Sequence, residues 1–426
     1  EDELTYVFRQ MITQNVTYET LPLALKATLH EQIALYIENR YSSDVERYLD
    51  LLAYHFDQTE NDEKRRHYLC RAGQAAQDIY ANEAAIDYYR RVLPLLEGST
   101  RPPVLMKLGQ VLELVGQWDE AAACYVEALT VSQAADVRET NTQAQIAIGE
   151  IQRKRGNFGV AASWFDQAYG AAQASGDQPG MAKALICNGT LAAQQGDYAA
   201  ATSQYEQSLA IRRRLDDQPN VANVLNNLAI LAQFQGDYGQ SRAYHEEALA
   251  IRRRLGGQWG IAMSLNNLGT TVLDQGDYAT ARTYLEEALS LQRAIGDKWA
   301  VANALNNLAN AQRELGAYAL ARDQYAESVR LNSALGDQRA LAYLLEDIGA
   351  LYVLIDQPVQ ALMLAGAAAT VRDTIESPLS PAEQVALDLR LEAARTSLGE
   401  VVAAAALRQG RELSLAQAIE MLQAEQ

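Results

Sequence analysis

Apolar residues recur along this chain at the spacing of amphipathic helices, and the whole pattern recurs every forty residues. Three stretches show it most clearly: LNNLAILAQFQGDY (225–238), LNNLGTTVLDQGDY (265–278) and LNNLANAQRELGAY (305–318). In the first, Leu225, Leu228 and Ala232 share one face of a helix, and the Gly-Asp-Tyr step then closes it with a turn. The pattern predicts a unit of a helix, a tight turn, a second helix and a short link.

Small residues mark three fixed places in each unit. The places lie seven residues before the turn and five and twelve residues after it; in one unit they are Ala229, Ser241 and Ala248. Gly, Ala or Ser occupies each of these places in all seven units between residues 102 and 375. Because two helices can pack closely only where the side chains at their crossing are small, this regularity predicts tightly nested helix pairs.

The links between units contain residues that typically end one helix and begin the next. In SGDQP, IGDKW and LGDQR a Gly ends one helix, since Gly tolerates the left-handed cap conformation. The Asp that follows can cap the N-terminus of the next helix, and Pro179 and Pro219 suit a first helical turn. LGGQW keeps the Gly but not the Asp.

This layout resembles the tetratricopeptide repeat (TPR). The resemblance rests on the small-residue triplet, Leu-x-x-Leu-[Gly/Ala], the turn aromatic and a second aromatic such as Tyr125, Phe165, Tyr205 or Tyr325. The period of forty residues is longer than the usual TPR length of about 34. This longer period and the NNLA signature are similar to those of kinesin light chains. HEAT repeats have a similar length but lack the small-residue triplet. The resemblance implies an all-α fold, a right-handed TPR α-solenoid (superhelix) of about seven to eight helix-turn-helix repeats with helical N- and C-terminal caps.

Residues 1–60 do not keep the register and have a different resemblance. They look like the segment that joins the ATPase and winged-helix region to TPRs in bacterial STAND-type regulators and cyclase-linked ATPases. The residues that carry this resemblance are Phe8, Arg9, Ile12, Tyr18, Glu19, Leu21, Leu29 and His30. Gln10 departs from the family, which usually has His there. Residues 61–101 are predicted to be a degenerate N-terminal repeat, with Ala84 and Tyr88 in the places of its second helix where the other repeats have a small residue and the second aromatic.

Residues 376–426 resemble the closing module of the same regulators. A Pro-Ser link (377–381) precedes a helix, Leu-Gly-Glu interrupts it, and Ser414 is placed to cap the final helix. No GxxxxGK[ST] phosphate loop occurs, so the ATPase itself is not in this sequence. The missing initiator Met leads us to expect a piece of a longer protein, whose own ATPase domain is then one expected partner.

Composition excludes several classes of function. The net charge of −18 opposes nucleic-acid binding, which needs clustered Lys and Arg. No apolar run reaches the roughly 20 residues that span a bilayer, and the N-terminus lacks a signal-peptide layout, so we expect no membrane association. Three scattered cysteines, Cys70, Cys124 and Cys187, favour buried helix positions in a reducing, cytoplasmic compartment over a disulfide framework.

Candidate chemistry is scarce. His245 falls at the second-aromatic place and His30 in the Leu-His pair, so packing explains both; His55 and His67 have no second His at metal-binding spacing. No Ser-His-Asp or Cys-His arrangement is present, so we expect no enzyme activity, no metal and no cofactor. The Arg runs 212–214 and 252–254 lie in the last turn of second helices, where cations complement the helix dipole, although an acidic ligand could also meet them.

The paired asparagines lead to the functional prediction. In TPR superhelices the first helices line a concave groove, and by this resemblance the peptide-binding residues are Asn223, Asn226, Gln233, Phe234, Met263, Asn266, Asp274, Asn303, Asn306, Asn310 and Arg313. An amide both donates and accepts, so such a row could pair with the backbone of an extended peptide. The second Asn of each pair, Asn227, Asn267 or Asn307, is expected to bond between neighbouring helices instead.

These observations predict a non-catalytic scaffold that binds a protein or peptide segment in its groove. By resemblance it is the sensor or partner-binding arm of a bacterial STAND-type signalling ATPase. The alternative is a structural module for self-association or autoinhibition that binds no foreign ligand.

Overall fold

The computed structural model describes residue 16, residues 18–135 and residues 137–423, and it places them in helices and connecting turns. The all-α class is therefore confirmed. Phe8, Arg9, Gln10 and Ile12, on which part of the N-terminal resemblance rests, lie outside the described residues.

Between Leu23 and Val92, within the part of the chain that the structure describes, four helices precede the regular repeats. They are α1 (Leu23–Arg40), α2 (Leu49–Asp57), α3 (Asp62–Asp78) and α4 (Asn82–Val92), with a short 3-10 turn at Val45–Tyr48 before α2. Phe56 of α2 and Tyr68 of α3 stack with their ring centroids 5.1 Å apart in the core between these helices. Burial of such large aromatic surfaces stabilises this non-repeating end of the chain.

Within the described residues, seven helix pairs follow at forty-residue intervals. They are α5 (Arg101–Leu114) with α6 (Trp118–Ala134), α7 (Arg138–Lys154) with α8 (Phe158–Ser175), α9 (Gln178–Gln194) with α10 (Tyr198–Arg214), α11 (Gln218–Phe234) with α12 (Tyr238–Leu255), α13 (Gln258–Asp274) with α14 (Tyr278–Ile295), α15 (Lys298–Glu314) with α16 (Tyr318–Leu335), and α17 (Gln338–Leu354) with α18 (Pro358–Thr374). The chain forms two compact units, Glu1–Ile211 and Arg212–Gln426. This division falls inside α10 and leaves the boundaries predicted at residues 60, 101 and 375 untested.

The small residues seal the helix crossings, as the sequence predicts. Ala121, Ala161 and their equivalents in the later pairs are completely buried. A Cβ placed on Gly149 would lie 2.5 Å from the ring of Phe165, and one on Gly269 would lie 2.7 Å from Leu285. In these pairs the first helix needs its small residue because the large side chain sixteen positions later occupies that space, whereas in α17 a Cβ on Gly349 would meet the backbone oxygen of Ala361 at 3.1 Å.

The degenerate repeat corrects the sequence prediction by one residue. Ala85 and Tyr89, not Ala84 and Tyr88, are the completely buried pair in α4. The reason is the turn: Tyr80 adopts the left-handed conformation (φ 59°) that Gly116 adopts in the next pair. With no Gly to mark it, the register of this repeat cannot be set from the sequence.

The links form the predicted caps. Gly176, Gly256, Gly296 and Gly336 end second helices in the left-handed conformation. The carboxylates of Asp177, Asp217, Asp297 and Asp337 each accept a hydrogen bond from a backbone N–H in the following first turn. These bonds satisfy N–H groups that a helix start otherwise leaves unpaired.

Two further helices cover the end of the last pair. They are α19 (Pro381–Arg411), which Gly399 (φ 73°) breaks at the predicted Leu-Gly-Glu, and α20 (Leu415–Gln423). Ser380 and Glu383 form a reciprocal capping box at the start of α19, and Ser414 caps α20 through the Gln417 N–H as predicted. Gly366 and Gly410 face the opposing backbones at Leu407 and Met363 so closely that a Cβ on either would clash.

Candidate functional site

Four first helices of the second unit, α11, α13, α15 and α17, lie side by side and form the surface that carries the predicted groove residues. We call it the first-helix wall. Side-chain hydrogen bonds join each of these helices to the next one along the chain: Asn267 to Asn226, Asn307 to Asn266, and Asn306 to Asp347. Ten of the eleven predicted residues keep some exposure on this wall, and Arg313 is the exception.

The paired asparagines form a ladder across the wall. The Nδ2 of Asn267 donates to the Oδ1 of Asn226 one repeat earlier, over 2.8 Å, and the Nδ2 of Asn307 donates to the Oδ1 of Asn266 over 3.3 Å. All four side chains are half-buried. The prediction that the second Asn bonds between neighbouring helices is confirmed for Asn267 and Asn307.

The ladder changes what the first Asn of each pair can offer a ligand. The Oδ1 atoms of Asn226 and Asn266 already accept a bond from the next repeat, whereas neither Nδ2 has a partner among the described residues. The expectation that these amides both donate and accept is therefore narrowed: the ladder uses one of the two lone pairs on each Oδ1 and leaves the Nδ2 hydrogens open. Each amide has more donor than acceptor capacity left, which suits a ligand that supplies acceptors such as carbonyl oxygens.

The ladder reverses at the last repeat because the chemistry changes there. Asp347 occupies the place of the second Asn, and its carboxylate side chain has no N–H group to donate. Its Oδ2 instead accepts from the Nδ2 of Asn306 and of Asn310, each over 3.1 Å. The Oδ1 of Asn306 is left buried without a partner among the described residues.

Arg313 lies buried beneath the wall, although the sequence predicts that it lines the groove. Its Nη1 donates to the Oδ1 of Asn310, the hydroxyl of Tyr325 and the backbone carbonyl of Asp347. Burial acts to lower the pKa of this guanidinium, but Tyr325 and the neighbouring carboxylates outweigh it and the pKa is raised. The guanidinium therefore stays charged, and its hydrogen bonds go to groups of the protein. Arg313 holds the Asn310 side chain in position and is not itself open to a ligand.

A second arginine supports the exposed Asn223. The guanidinium of Arg252 is buried, and it donates to the Oδ1 of Asn223 over 3.0 Å and to Ser264 Oγ over 2.8 Å. Arg212 is buried as well and pairs with Asp217 over 2.6 Å. The first residue of each Arg run is therefore structural and is not open to an acidic ligand, the alternative that the sequence left for these runs.

At the end of the wall near the turns, an apolar and an acidic side chain are exposed. Phe234, the last residue of α11, is 71% exposed, and Asp274 is the last residue of α13, whereas the half-buried Met263 lies nearer the start of α13. The Nε2 of Gln233 donates to the Oδ2 of Asp274 one repeat later. Partial desolvation raises the pKa of Asp274, and the bond from Gln233 opposes that shift. Asn303 on α15 is exposed, and its Oδ1 accepts a hydrogen bond from the Nδ2 of Asn307 over 3.3 Å.

Helix α19 closes the wall at α17. The Nη1 of Arg390 donates to Asp347 Oδ1 over 2.8 Å, and the Tyr343 hydroxyl donates to Glu383 over 3.0 Å. Behind them, Glu346 and Arg372 form a buried bidentate ion pair with bonds of 2.7 and 3.0 Å. The accessible part of the wall therefore runs over α11, α13 and α15.

The remaining candidate residues are explained by packing. His245 is buried at the second-aromatic place as predicted, and burial together with Arg252 lowers its pKa to about 4. Burial raises the pKa of Cys124 to about 11 and that of Cys187 to about 12, which leaves both thiols unreactive. Sequence reasoning missed one cluster: His30 bonds to His55 over 2.7 Å and to the Tyr18 hydroxyl over 2.8 Å, and no spacing signal connects them.

Among the described residues, no group of three or more His, Cys, Asp or Glu side chains is arranged to hold a metal ion. In the same part of the chain, no helix is both long and apolar enough to cross a bilayer.

The repeats match a known family. The family model for the tetratricopeptide repeat matches residues 101–174, 180–254 and 260–334, which together make up more than half of the chain. The chain is a tetratricopeptide repeat protein. Comparison with curated protein sequences gives no significant match.

Solved structures share the fold of this TPR protein. The Signal Transduction ATPase with Numerous Domains (STAND) protein with a tetratricopeptide repeat sensor from Pyrococcus horikoshii is similar over 100% of this chain and 67% of its own, with 15% identity and a TM-score of 0.60. The apo form of the quorum sensor NprR from B. thuringiensis is similar over 81% of this chain and 95% of its own, with 13% identity and a TM-score of 0.54. BtubC from P. vanneervenii, at 20% identity, covers 56% of this chain and 93% of its own with a TM-score of 0.43.

Proposed function

We propose that this TPR protein is a non-catalytic scaffold that binds an extended peptide or protein segment along the first-helix wall over α11, α13 and α15. The observation that carries the proposal is the pair of unpartnered Nδ2 groups on Asn226 and Asn266, which occupy the same place in consecutive repeats. Backbone carbonyl oxygens of an extended chain are acceptors that such donors bind irrespective of side chains. Phe234, Met263 and Asp274 supply the neighbouring contacts that select among sequences.

We further propose that the chain is the sensor arm of a bacterial, cytoplasmic STAND-type ATPase, whose ATPase domain belongs to the same full-length protein. The resemblance of both ends to that family supports this, as does the likeness of this chain to 67% of a STAND protein with a TPR sensor. Binding on the wall would then bias the ATPase only if the ligand favours one of its two states over the other.

Asn-to-Asp substitution tests the wall without dismantling it. In Asn226→Asp and Asn266→Asp the carboxylate still accepts the ladder bond from Asn267 or Asn307, but the outward donor becomes an acceptor. Peptides are first selected from a random display library against the whole chain, and their affinities for the variants are then measured by fluorescence anisotropy. Asn157→Asp, at an exposed turn of the first unit, matches the charge change of each single variant and is their control.

We expect the double variant to bind the selected peptides about tenfold or more weakly, since each lost hydrogen bond to a buried backbone acceptor costs on the order of 1 kcal/mol and the new charge adds repulsion. The control should bind as the parent does. Equal affinity for the double variant and the parent, with an unchanged thermal transition, would remove the wall proposal and leave self-association as the account, which light scattering over a concentration series then tests.

A further inference from the structure

A second surface of the same unit has a composition that the wall does not explain. It is the edge where second helices end and the next first helices begin, at residues 254–259 and 294–299, and we call it the link edge. Leu255 and Ile295 are exposed there, and Trp259 and Trp299 are 60% and 56% exposed. Exposed tryptophans are unusual on free surfaces and are enriched where proteins bind partners.

The apolar groups lie in a row along this edge. Trp259 and Trp299 occupy the second position of α13 and of α15, which are equivalent helices one repeat apart. The Nε1 of Trp299 lies 3.4 Å from the Oδ2 of Asp337, so this indole reaches along the edge to the following link. A side chain held in this way is pre-ordered, which lowers the entropy cost of binding a partner.

Unpaired cations accompany the tryptophans. Arg253 and Arg293 are bound to Glu287 and Glu327 of the next second helix, over 2.7 and 2.6 Å. Arg254 and Lys298, in contrast, are exposed and make no ion pair with any described residue. Their charges therefore remain available to a partner.

The carboxylates of this edge are already engaged. Asp297 accepts from the Ala300 N–H over 3.0 Å, and Asp337 accepts from the Ala340 N–H and from Trp299. The amino end of α13, which has no side-chain cap, also lies at this edge and adds partial positive charge. Within residues 254–259 and 294–299, Arg254 and Lys298 outnumber the one carboxylate, Asp297, so this aromatic strip carries a small net positive charge in a chain whose net charge is −18.

We propose that the link edge binds an acidic protein segment in which carboxylates alternate with aromatic or aliphatic side chains. The carboxylates pair with Arg254 and Lys298, and the apolar side chains cover Trp259, Trp299 and the exposed Leu255 and Ile295. The strip favours a short acidic segment over nucleic acid, because a phosphate backbone brings many charges close to a strongly acidic chain, which repels it. This site is separate from the first-helix wall and does not rest on it.

Defined peptides test the proposal on the full chain. The probe is a short fluorescein-labelled peptide of repeated Glu-Glu-Phe, compared with Lys-Lys-Phe, Glu-Glu-Gly and an oligothymidylate of similar length. Binding is followed by anisotropy and by quenching of tryptophan fluorescence. We expect Glu-Glu-Phe to bind most tightly and to weaken as salt increases, since salt screens the exposed charges.

Matched variants locate the binding. Trp259→Ala with Trp299→Ala should weaken Glu-Glu-Phe binding about tenfold or more, as removal of central aromatic contacts does at other interfaces. Arg254→Gln should weaken it several-fold, and the neighbouring Arg253→Gln, which loses only a charge already paired with Glu287, should not. Asn226→Asp with Asn266→Asp should also leave it unchanged, which separates this site from the wall.

Three results would overturn the proposal. The first is equal binding of Glu-Glu-Phe, Lys-Lys-Phe and Glu-Glu-Gly. The second is tighter binding of the oligothymidylate, which would assign the strip to nucleic acid. The third is unchanged Glu-Glu-Phe affinity in the double tryptophan variant while its helicity matches that of the parent.

Discussion

The Nδ2 of Asn267 lies 2.8 Å from the Oδ1 of Asn226, the first Asn of the pair one repeat earlier. This bond links α13 to α11 and fixes which end of the Asn226 amide remains open. The repeated Asn pair thus has two tasks: its second member joins consecutive first helices, and its first member presents a donor on the first-helix wall.

The ladder bond should contribute measurably to stability. Asn267→Ala removes the donor and leaves a half-buried Oδ1 on Asn226 unpaired, so we expect the free energy of unfolding to fall by about 1 kcal/mol. Urea unfolding followed by circular dichroism measures the change. A double-mutant cycle with Asn226→Ala should return a coupling energy clearly above zero, and strict additivity would show that the two side chains do not interact.

At the close helix crossings, the addition of a single methyl group should lower the stability of the protein. Gly149→Ala places a Cβ 2.5 Å from the ring of Phe165, and we expect it to destabilise the protein by about 1–3 kcal/mol. Gly170→Ala in the adjacent helix α8 is the control, because nothing lies within 4 Å of its Cβ and Ala favours helix. Thermal melts of both variants should move in opposite directions; a matching rise for Gly149→Ala would disprove the crossing argument.

Stability should fall strongly when one partner of the buried ion pair of Arg372 with Glu346 is removed and only slightly when both are replaced by apolar residues. Arg372→Met alone leaves the Glu346 carboxylate buried without its partner, and we expect a loss of about 3–5 kcal/mol. The double variant Arg372→Met with Glu346→Leu should lie near the parent in denaturant unfolding. A single variant as stable as the double one would mean that water already solvates the carboxylate.

His245 should make stability depend on pH below neutrality. Its folded-state pKa is about 4 against an ordinary value of 6.5, so between these values the unfolded chain binds a proton that the folded chain does not. Stability should therefore fall as the pH drops from 6.5 to 4, by about 3 kcal/mol over the full range. His245→Tyr, which copies the Ala309–Tyr325 pair, should flatten this part of the profile.

This prediction is tested by the difference between the stability–pH profiles of the parent and of His245→Tyr, since the carboxylates titrate in both proteins. Parallel profiles for His245→Tyr and the parent from pH 6.5 to 4 would show that His245 is protonated as easily in the folded protein as in the unfolded one.

The sequence predicts the repeating parts of this fold well, because each depends on local rules. The small residues opposite Phe165 and Leu285, the Gly caps and the Asp N-caps all recur at fixed offsets and are confirmed. The prediction is wrong by one position where the turn has no Gly. Tyr80 occupies that turn, and the buried pair is Ala85 and Tyr89 instead of the predicted Ala84 and Tyr88.

The candidate site was predictable in position but not in chemistry. Periodicity places Asn226 and Asn266 on the wall, yet the direction of the ladder depends on how consecutive repeats are rotated, which no spacing encodes. Arg313 shows the same limit, since Asn310, Tyr325 and Asp347 draw it inward. The contact of His30 with His55 joins helices whose pairing has no repeat to reveal it.

The most direct test of the central claim is to locate a bound peptide on the chain. A library-selected peptide carrying a photoreactive residue is cross-linked to the full chain, and mass spectrometry identifies the attachment sites. Binding on the first-helix wall predicts cross-links to Phe234, Met263 and their neighbours on α11, α13 and α15, which the unlabelled peptide competes away. Competed cross-links confined to the second helices α12, α14 and α16 would contradict it.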